Sequence, residues 1–197
     1  QATVGDLNFQ ERNNTDYLIY EGSTDPIYNG SLGNTFNYKG FHLNLFLTYA
    51  FGNVVRLDPV FKAKYNDLTS MTHDFKNRWM QPGDENVTNV PGVVSRYEYE
   101  QNSTLLATAY NAYNYTSVRT AKGDFIRLKE ISLAYDFPHR WFEKSPVNNI
   151  SLKLQATNLM LLYADKKLNG QDPEFMNAGG VASPMPKQFT LTLKLGL

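Results

Sequence analysis

Apolar and polar residues alternate along five long stretches of this chain, and this period of two limits the fold more than any other feature. In the stretch 41–52 the odd positions are all apolar, and the even positions are mostly polar or small. A helix would repeat apolar residues at a spacing near 3.6, whereas a strand sends successive side chains to opposite faces. The pattern therefore predicts a β-strand with one apolar face and one polar face.

Four other stretches repeat the alternation: 28–38 (the weakest copy), 130–137, 150–157 and 188–197. Five strands of about ten residues are longer than the 5–6 residues that are usual in soluble sheets. Lys39-Gly40 and the stretch 138–149 connect neighbouring strands closely, whereas 1–27, 53–117 and 159–186 are long. Neither the stretch near Asn66 nor the one near Gln101 has a helix-length apolar period, so we expect at most a helical turn in each.

Two all-β folds fit this alternation, a soluble β-sandwich and a transmembrane antiparallel β-barrel segment. A tilted strand needs about 9–11 residues to cross a bilayer, and outer-membrane barrels have long loops on one side and short turns on the other. Aromatic residues lie at the strand ends and leucines in the middle, as in a barrel. We therefore predict a barrel segment, with a soluble carbohydrate-binding or adhesin-like sandwich as the alternative. The residues predicted to face lipid are Leu43, Leu45, Leu47, Leu133, Leu152, Leu154, Leu191, Leu193 and Leu195.

Composition and motifs argue against several classes of function. The 197 residues carry 19 Lys+Arg and 19 Asp+Glu, so no basic surface for nucleic acid is expected. There is no cysteine for thiolate chemistry or metal ligation, and the three histidines have no metal-site spacing. Motifs for a serine nucleophile, a phosphate loop or a dinucleotide are absent. We expect no enzyme activity, no metal and no cofactor. The start at Gln1, without a signal sequence, suggests a processed or truncated chain.

Several short strings occur in an order that resembles a known family. They are Asp25-Pro26-Ile27-Tyr28-Asn29-Gly30, Phe36 to Phe41, Arg78-Trp79, Pro82-Gly83-Asp84, Gly123 to Tyr135, Asn158-Leu159 and Gly170 to Glu174. Together they resemble the C-terminal end of the SusC/RagA family of TonB-linked outer-membrane proteins. Two departures are the final Leu197, where the family usually has Phe, and the absence of an acidic repeat in 10–16. For this reason no metal site is transferred from the family.

The resemblance implies that the chain is the last five strands of a 22-stranded barrel in the outer membrane of a Gram-negative cell, with a periplasmic C-terminus. It implies import of oligosaccharides or peptides, energised through TonB, with a SusD-like surface lipoprotein as a lid. The implied partners are the remainder of the barrel and its plug, in the same polypeptide or another chain, and TonB through the N-terminal part. Outer-membrane lipid and lipopolysaccharide would surround the barrel.

Three groups of side chains are candidates for binding. An aromatic set in the loop 53–117 suits the faces of sugar rings, or else packs the loop against the barrel mouth or the lid. Its members are Trp79, Tyr97, Tyr99, Tyr110, Tyr113 and Tyr115. Arg127 and Lys129 are expected on the outward face, either meeting lipopolysaccharide phosphates or as ordinary exposed charges. Asp165, Asp172 and Glu174 offer oxygens suited to calcium, but we expect a solvated turn instead.

Overall fold

The computed structural model describes residues 16–60, 71–176 and 185–196. The chain divides into two compact units. The sheet unit comprises 22–55 and 122–197, and the loop unit comprises 1–21 and 56–121. Several sequence predictions fall outside the described residues. They concern the missing acidic repeat in 10–16 (apart from Asp16), the helical turn near Asn66, most of the loop 1–27 and the terminal Leu197.

Seven strands and two α-helices are formed by the described residues. The strands are β1 (Tyr28–Tyr38), β2 (Phe41–Phe51), β3 (Val54–Arg56), β4 (Thr120–Lys122), β5 (Phe125–Asp136), β6 (Asn149–Ala164) and β7 (Gln188–Gly196). The helices are α1 (Arg96–Gln101) and α2 (Ser103–Asn114). Single turns of 3₁₀-helix occupy His73–Asn77, Asp84–Asn86, Ser117–Arg119, His139–Trp141, Lys166–Leu168 and Pro173–Phe175.

The sheet unit contains one antiparallel sheet of five strands in the order β1-β2-β5-β6-β7. All five predicted strands are confirmed. Lys39 and Gly40 both have positive φ, 46° and 87°, as a tight two-residue hairpin between twisted strands requires. β3 and β4 form a separate two-stranded sheet. In the five-stranded sheet, β1 and β7 are the outermost strands.

A β-bulge at Lys129 changes which side chains share a face. Phe46 pairs with Glu130 and Leu47 pairs with Leu128, so Lys129 has no partner on β2. The extra residue reverses the faces of the part of β5 that precedes it. Between Phe125 and Leu128, the even positions therefore lie on the apolar face and the odd positions on the polar face. Arg127 pairs with Thr48 on the polar face.

The strand β6 is longer than predicted. It continues to Ala164, so the expected start of a loop at 159 is wrong. Asn158 has a positive φ of 53°, and the pairing with β5 shifts beside it. The strict alternation ends at this irregularity although the strand does not, which explains why the sequence pattern placed the boundary too early.

The loop unit contains the 12-residue helix α2, where at most a helical turn was expected, so that expectation is wrong. None of its residues is buried, and this accounts for the missing apolar period. The preceding helix α1 begins with a capping box, in which Ser95 and Glu98 bond to each other's backbone N–H. A small core in this unit contains Val60 and Val90 with Phe75, Tyr110 and Tyr113 packed against them.

Candidate functional site

An open cleft of about 560 Å³ lies in the sheet unit. Its lining includes Asn29 of β1, Thr48 of β2, Lys129 of the bulge and Glu174 of the loop between β6 and β7. Amide, hydroxyl and charged groups therefore all face the same space. This composition suits a polar ligand that exchanges several hydrogen bonds with water for hydrogen bonds with the protein.

A buried ion pair fixes the wall of this cleft. Both Oδ atoms of Asp172 lie 2.5 Å from Nη2 of Arg127, and Oε2 of Glu174 lies 3.1 Å from the same nitrogen. The side chains of Arg127 and Asp172 are only 5% and 3% exposed. Asp172 also accepts the backbone N–H of Glu174 and caps the turn Pro173–Phe175. The pair therefore attaches this loop to the polar face of β5.

Two expectations about these charges are wrong. Arg127 is on the polar face and buried, because the bulge at Lys129 inverts the alternation, and it offers no contact to lipopolysaccharide. Lys129 lines the cleft. Asp172 does not belong to a solvated turn, because it is buried against Arg127. Among the described residues no group of three or more His, Cys, Asp or Glu is placed to hold a metal ion.

Asp165 has a different structural role in the same loop. Its carboxylate accepts the backbone N–H of Lys122 and of Lys167, each at 2.9 Å. Partial burial acts to raise the pKa of Asp165, but these two hydrogen bonds and the two lysine charges outweigh it, so the pKa lies below its ordinary value. The side chain thus stabilises the start of the turn Lys166–Leu168 as a charged cap.

The start of β5 depends on Gly123 and Asp124, which open one of the strings noted in the sequence. A Cβ at position 123 would lie 2.2 Å from Nδ2 of Asn53, so no larger residue fits there without a shift. Asp124 accepts the backbone N–H of Gly52 at 2.7 Å. Phe125 follows as a buried residue that also lines the cleft. These contacts place the cleft-facing part of β5 beside the end of β2.

The structure divides the predicted aromatic set of the loop unit. Tyr110 and Tyr113 pack on the small core, and burial raises the pKa of each phenol above its usual value. The Tyr110 hydroxyl donates to the carbonyl of Gly92 at 2.7 Å. Tyr97 and Tyr115 are well exposed. The set therefore contributes both packing and open rings, and substrate contact by it stays a prediction.

The two other members of the set differ in exposure, since Trp79 is exposed and Tyr99 is half-buried. Nε1 of Trp79 donates to the carbonyl of Thr88 at 2.8 Å while the side chain stays partly exposed. Tyr99, in α1, is half-buried. Arg56 lies over the exposed ring of Tyr115, with its guanidinium carbon 5.3 Å from the ring centroid. This cation–π contact orients one candidate ring in the loop unit.

The apolar face of the sheet is continuous across its strands. Register pairs Leu43 with Leu133, Leu133 with Leu154, and Leu154 with Leu191. Directly paired residues of an antiparallel sheet share a face. Leu154 is 54% exposed and Leu191 68% exposed, and no other described sheet covers them. A soluble sandwich would need this face to be its core.

Comparison with known proteins adds to this geometry. No protein-family model matches the chain. It is 28% identical over 193 residues to the TonB-dependent receptor P39 of Formosa agariphila, a match that covers 91% of this chain and 17% of the receptor. It is 26% identical over 160 residues to the TonB-dependent receptor P3 of the same organism, covering 78% of this chain and 13% of that receptor. The chain thus spans less than one fifth of the length of either relative.

Solved structures give the same fold. The RagAB peptide importer in its open-open state matches with a TM-score of 0.62 at 20% identity, over 90% of this chain and 18% of that one. A structure of the RagAB peptide transporter matches with a TM-score of 0.58 at 22% identity, over 89% and 18%. The chain is similar over most of its length to TonB-dependent receptors and has the fold of a segment of RagAB. The resemblance read from the ordered strings is therefore confirmed.

Among the described residues, no α-helix is long and apolar enough to span a membrane. The relatives are receptors and transporters by name, which agrees with the expectation that the chain has no enzyme activity.

Sequence reasoning missed Arg127 and Asp172 as a pair, because 45 positions separate them and only the bulge turns Arg127 towards Asp172.

Proposed function

We propose that the chain forms part of the wall of an outer-membrane TonB-dependent transporter, with its leucine face towards lipid and its polar face towards the lumen. The observation that carries this proposal is the uncovered apolar face of the five-stranded sheet. Large contiguous apolar patches are rare on soluble monomers, whereas a membrane strand requires one. The cleft and the Arg127–Asp172 pair then belong to the lumen side.

The edges of the sheet support a larger barrel. β1 and β7 are the outermost strands and have no further partner among the described residues. In hydrocarbon an unpaired strand edge leaves backbone groups without hydrogen bonds, so each edge needs another strand. The family resemblance implies a barrel of 22 strands, with the C-terminus in the periplasm and the loops 1–27, 53–117 and 165–186 outside the cell.

The transported ligand is, in this proposal, an oligosaccharide or a peptide that a SusD-like surface lipoprotein delivers. The structural relative RagAB is a peptide importer, and this supports the peptide alternative. The exposed rings of Tyr97 and Tyr115 support the oligosaccharide alternative, since sugar rings stack on aromatic faces. TonB would act through the N-terminal part of the whole polypeptide.

Extraction of the native polypeptide tests the membrane location. Cell envelopes are washed with carbonate and then with detergent, and the polypeptide that contains this segment is followed in each fraction. We expect it to leave the membrane only in detergent and to co-purify with a surface lipoprotein. Release by carbonate alone would contradict the proposal and favour a soluble β-sandwich.

Uptake separates the two ligand classes. Cells that carry the whole transporter are given labelled oligosaccharides or labelled short peptides, with and without a functional TonB. We expect TonB-dependent accumulation of one class. Equal accumulation in cells that lack the transporter would contradict a transport function.

A further inference from the structure

An uninterrupted row of aromatic rings lies at the hairpin end of the apolar face. The rings of Phe41 and Tyr135 are 4.4 Å apart, those of Tyr135 and Phe137 4.9 Å, and those of Phe137 and Trp141 5.8 Å between centroids. Phe41 and Tyr135 are directly paired in the sheet. The row therefore extends from β2 across β5 and into the turn that leads to β6, where Trp141 is 62% exposed.

Exposed cations flank this row on the two short turns. Lys39 lies in the β1–β2 hairpin with its ammonium 5.2 Å from the ring centroid of Tyr38. Arg140 directly precedes Trp141, and Lys144 follows in the same turn. None of these three cations forms an ion pair with another residue that the structure describes.

The acidic groups nearby do not neutralise these cations. Asp136 points to the polar face, where its Oδ2 lies 2.9 Å from Nε2 of His42, and Asn37 lies 2.6 Å from the other ring nitrogen. Glu143 is an exposed carboxylate in the turn 138–149, and His139 is an exposed imidazole there. With three cations against Glu143, the outer side of this rim is positively charged.

We propose that this rim, formed by Lys39, Arg140, Trp141 and Lys144, binds the headgroup of an anionic phospholipid. The inference rests on the proposed membrane location, because it needs the leucine face to lie in hydrocarbon. Tryptophan and tyrosine rings favour the headgroup level of a bilayer, and lysine and arginine beside them attract anionic lipid phosphates. The short turns belong to the periplasmic side, where the leaflet consists of phospholipid.

The rim differs from an aromatic girdle that only marks the membrane boundary. Such a girdle has no preference for lipid charge. Here two turns at the same end of the sheet each carry cations without an ion-pair partner among the described residues, and the Asp136 N–H donates to the Gly40 carbonyl at 2.9 Å between them. This arrangement predicts selectivity for a negatively charged headgroup.

Lipid binding by the whole polypeptide tests the inference. The transporter is reconstituted in nanodiscs and titrated with phosphatidylglycerol, phosphatidylethanolamine or lipid A, and bound lipid is counted by native mass spectrometry. The test variant is Arg140→Gln with Lys144→Gln. The matched control is Lys194→Gln, because Lys194 pairs with Ser151 near the same end of the sheet but on the polar face.

We expect the native protein to retain phosphatidylglycerol in preference to phosphatidylethanolamine, and each cation removed to weaken that preference by about fivefold. Lys194→Gln should leave it unchanged. Equal retention of both phospholipids, an equal loss in the control, or tighter binding of lipid A would each overturn the proposed site. Failure of the polypeptide to enter the nanodisc would instead refute the membrane location as well, so the two proposals fail in distinguishable ways.

Discussion

At the scale of single residues, the environment of Arg127 differs from the one that its sequence context predicts. It occupies a strand between two apolar neighbours, yet it is buried against Asp172 and touches Glu174. Removal of one partner from a buried ion pair leaves the other charge without compensation, and this is far more destabilising than the loss of an exposed pair. The pair holds the loop that carries Pro173 against β5.

Replacement of Arg127 by Gln should therefore lower the free energy of unfolding by about 3–5 kcal/mol. Thermal unfolding of the whole polypeptide in detergent measures the change. Arg96→Gln is the control, since Arg96 forms an exposed pair with Glu100 on α1 that contributes only about 0.3–0.5 kcal/mol. Equal effects of the two substitutions would contradict the buried pair.

A second residue-scale prediction concerns pH. The pKa of Asp165 is lowered in the folded state from its ordinary value of 3.8, so its charged form stabilises the fold above that pH. The contribution is lost as pH falls through the lower folded-state pKa. Asp165→Asn should be less stable than the native protein at neutral pH, and the difference should disappear in strong acid.

Unfolding curves collected from neutral pH down to about pH 2 provide the measurement, because this range extends well below the ordinary pKa of 3.8. Glu143→Gln is a suitable control, because Glu143 is an exposed turn carboxylate. A difference between Asp165→Asn and the native protein that stays constant over this range would show that the carboxylate charge has no role in the cap.

At the scale of elements, the bulge at Lys129 determines which face of β5 meets the cleft. Deletion of Lys129 would remove the extra residue, while Leu128 would still pair with Leu47 and Arg127 with Thr48, so Arg127 would stay on the polar face. We therefore expect both the deletion variant and Lys129→Ala to keep this register and to assemble.

Assembly is measured as the fraction of polypeptide that resists denaturation by detergent without heating. If the deletion variant fails to assemble while Lys129→Ala assembles, the residues before Lys129 do not keep these partners without the bulge. Loss of ligand uptake in an assembled Lys129→Ala variant would show that the Lys129 ammonium group takes part in ligand binding in the cleft.

The sequence predicted strands more accurately where the hydrogen-bonded pairing between strands is regular than where it shifts. In β2 and β7 the alternation is unbroken, and the predicted strands agree with the observed ones. At Lys129 and Asn158 the pairing shifts, and a rule based on a period of two fails there because it assumes that each residue has one partner. No residue of α2 is fully buried, and Tyr110 and Tyr113 pack on the small core only in part, so the helix has no clear apolar period.

The candidate site was less predictable for a related reason. The aromatic residues could be selected by type, but their division between core and surface depends on contacts with residues far along the chain. Tyr113 packs on Val60, and Arg119 lies 5.9 Å from its ring centroid. The ion pair of Arg127 needs both the bulge and the distant turn around Asp172, and neither has a local signal.

At the scale of the whole molecule, the proposed membrane location predicts that a charged side chain destabilises one face of the sheet more than the other. Leu193→Arg places a cation on the face proposed to meet lipid and should cost about 2–4 kcal/mol near the bilayer centre. Thr192→Arg, one position earlier on the polar face, should cost much less. Unfolding from lipid vesicles compares them, and equal costs would contradict the assignment of the faces.

The proposed topology also predicts which positions a reagent reaches from outside the cell. These 197 residues contain no cysteine, so an introduced one is readily followed when the rest of the polypeptide is kept cysteine-free. Val87→Cys, at an 88% exposed position in the loop unit, should react with an impermeant maleimide on intact cells. Arg140→Cys should react only after the outer membrane is opened. The opposite result would reverse the orientation of the sheet.

The placement of the loop unit within the chain has a consequence for how such proteins change over time. Residues 52–124 connect two strands that are neighbours in the sheet, so their ends stay close whatever lies between them. The entropy lost when a loop is closed grows only with the logarithm of its length, about 0.6 kcal/mol for each doubling. Insertions of domain size at this position should therefore lower the stability of the barrel wall very little. The part of the molecule proposed to meet ligands can diversify while the part proposed to lie in the membrane stays the same.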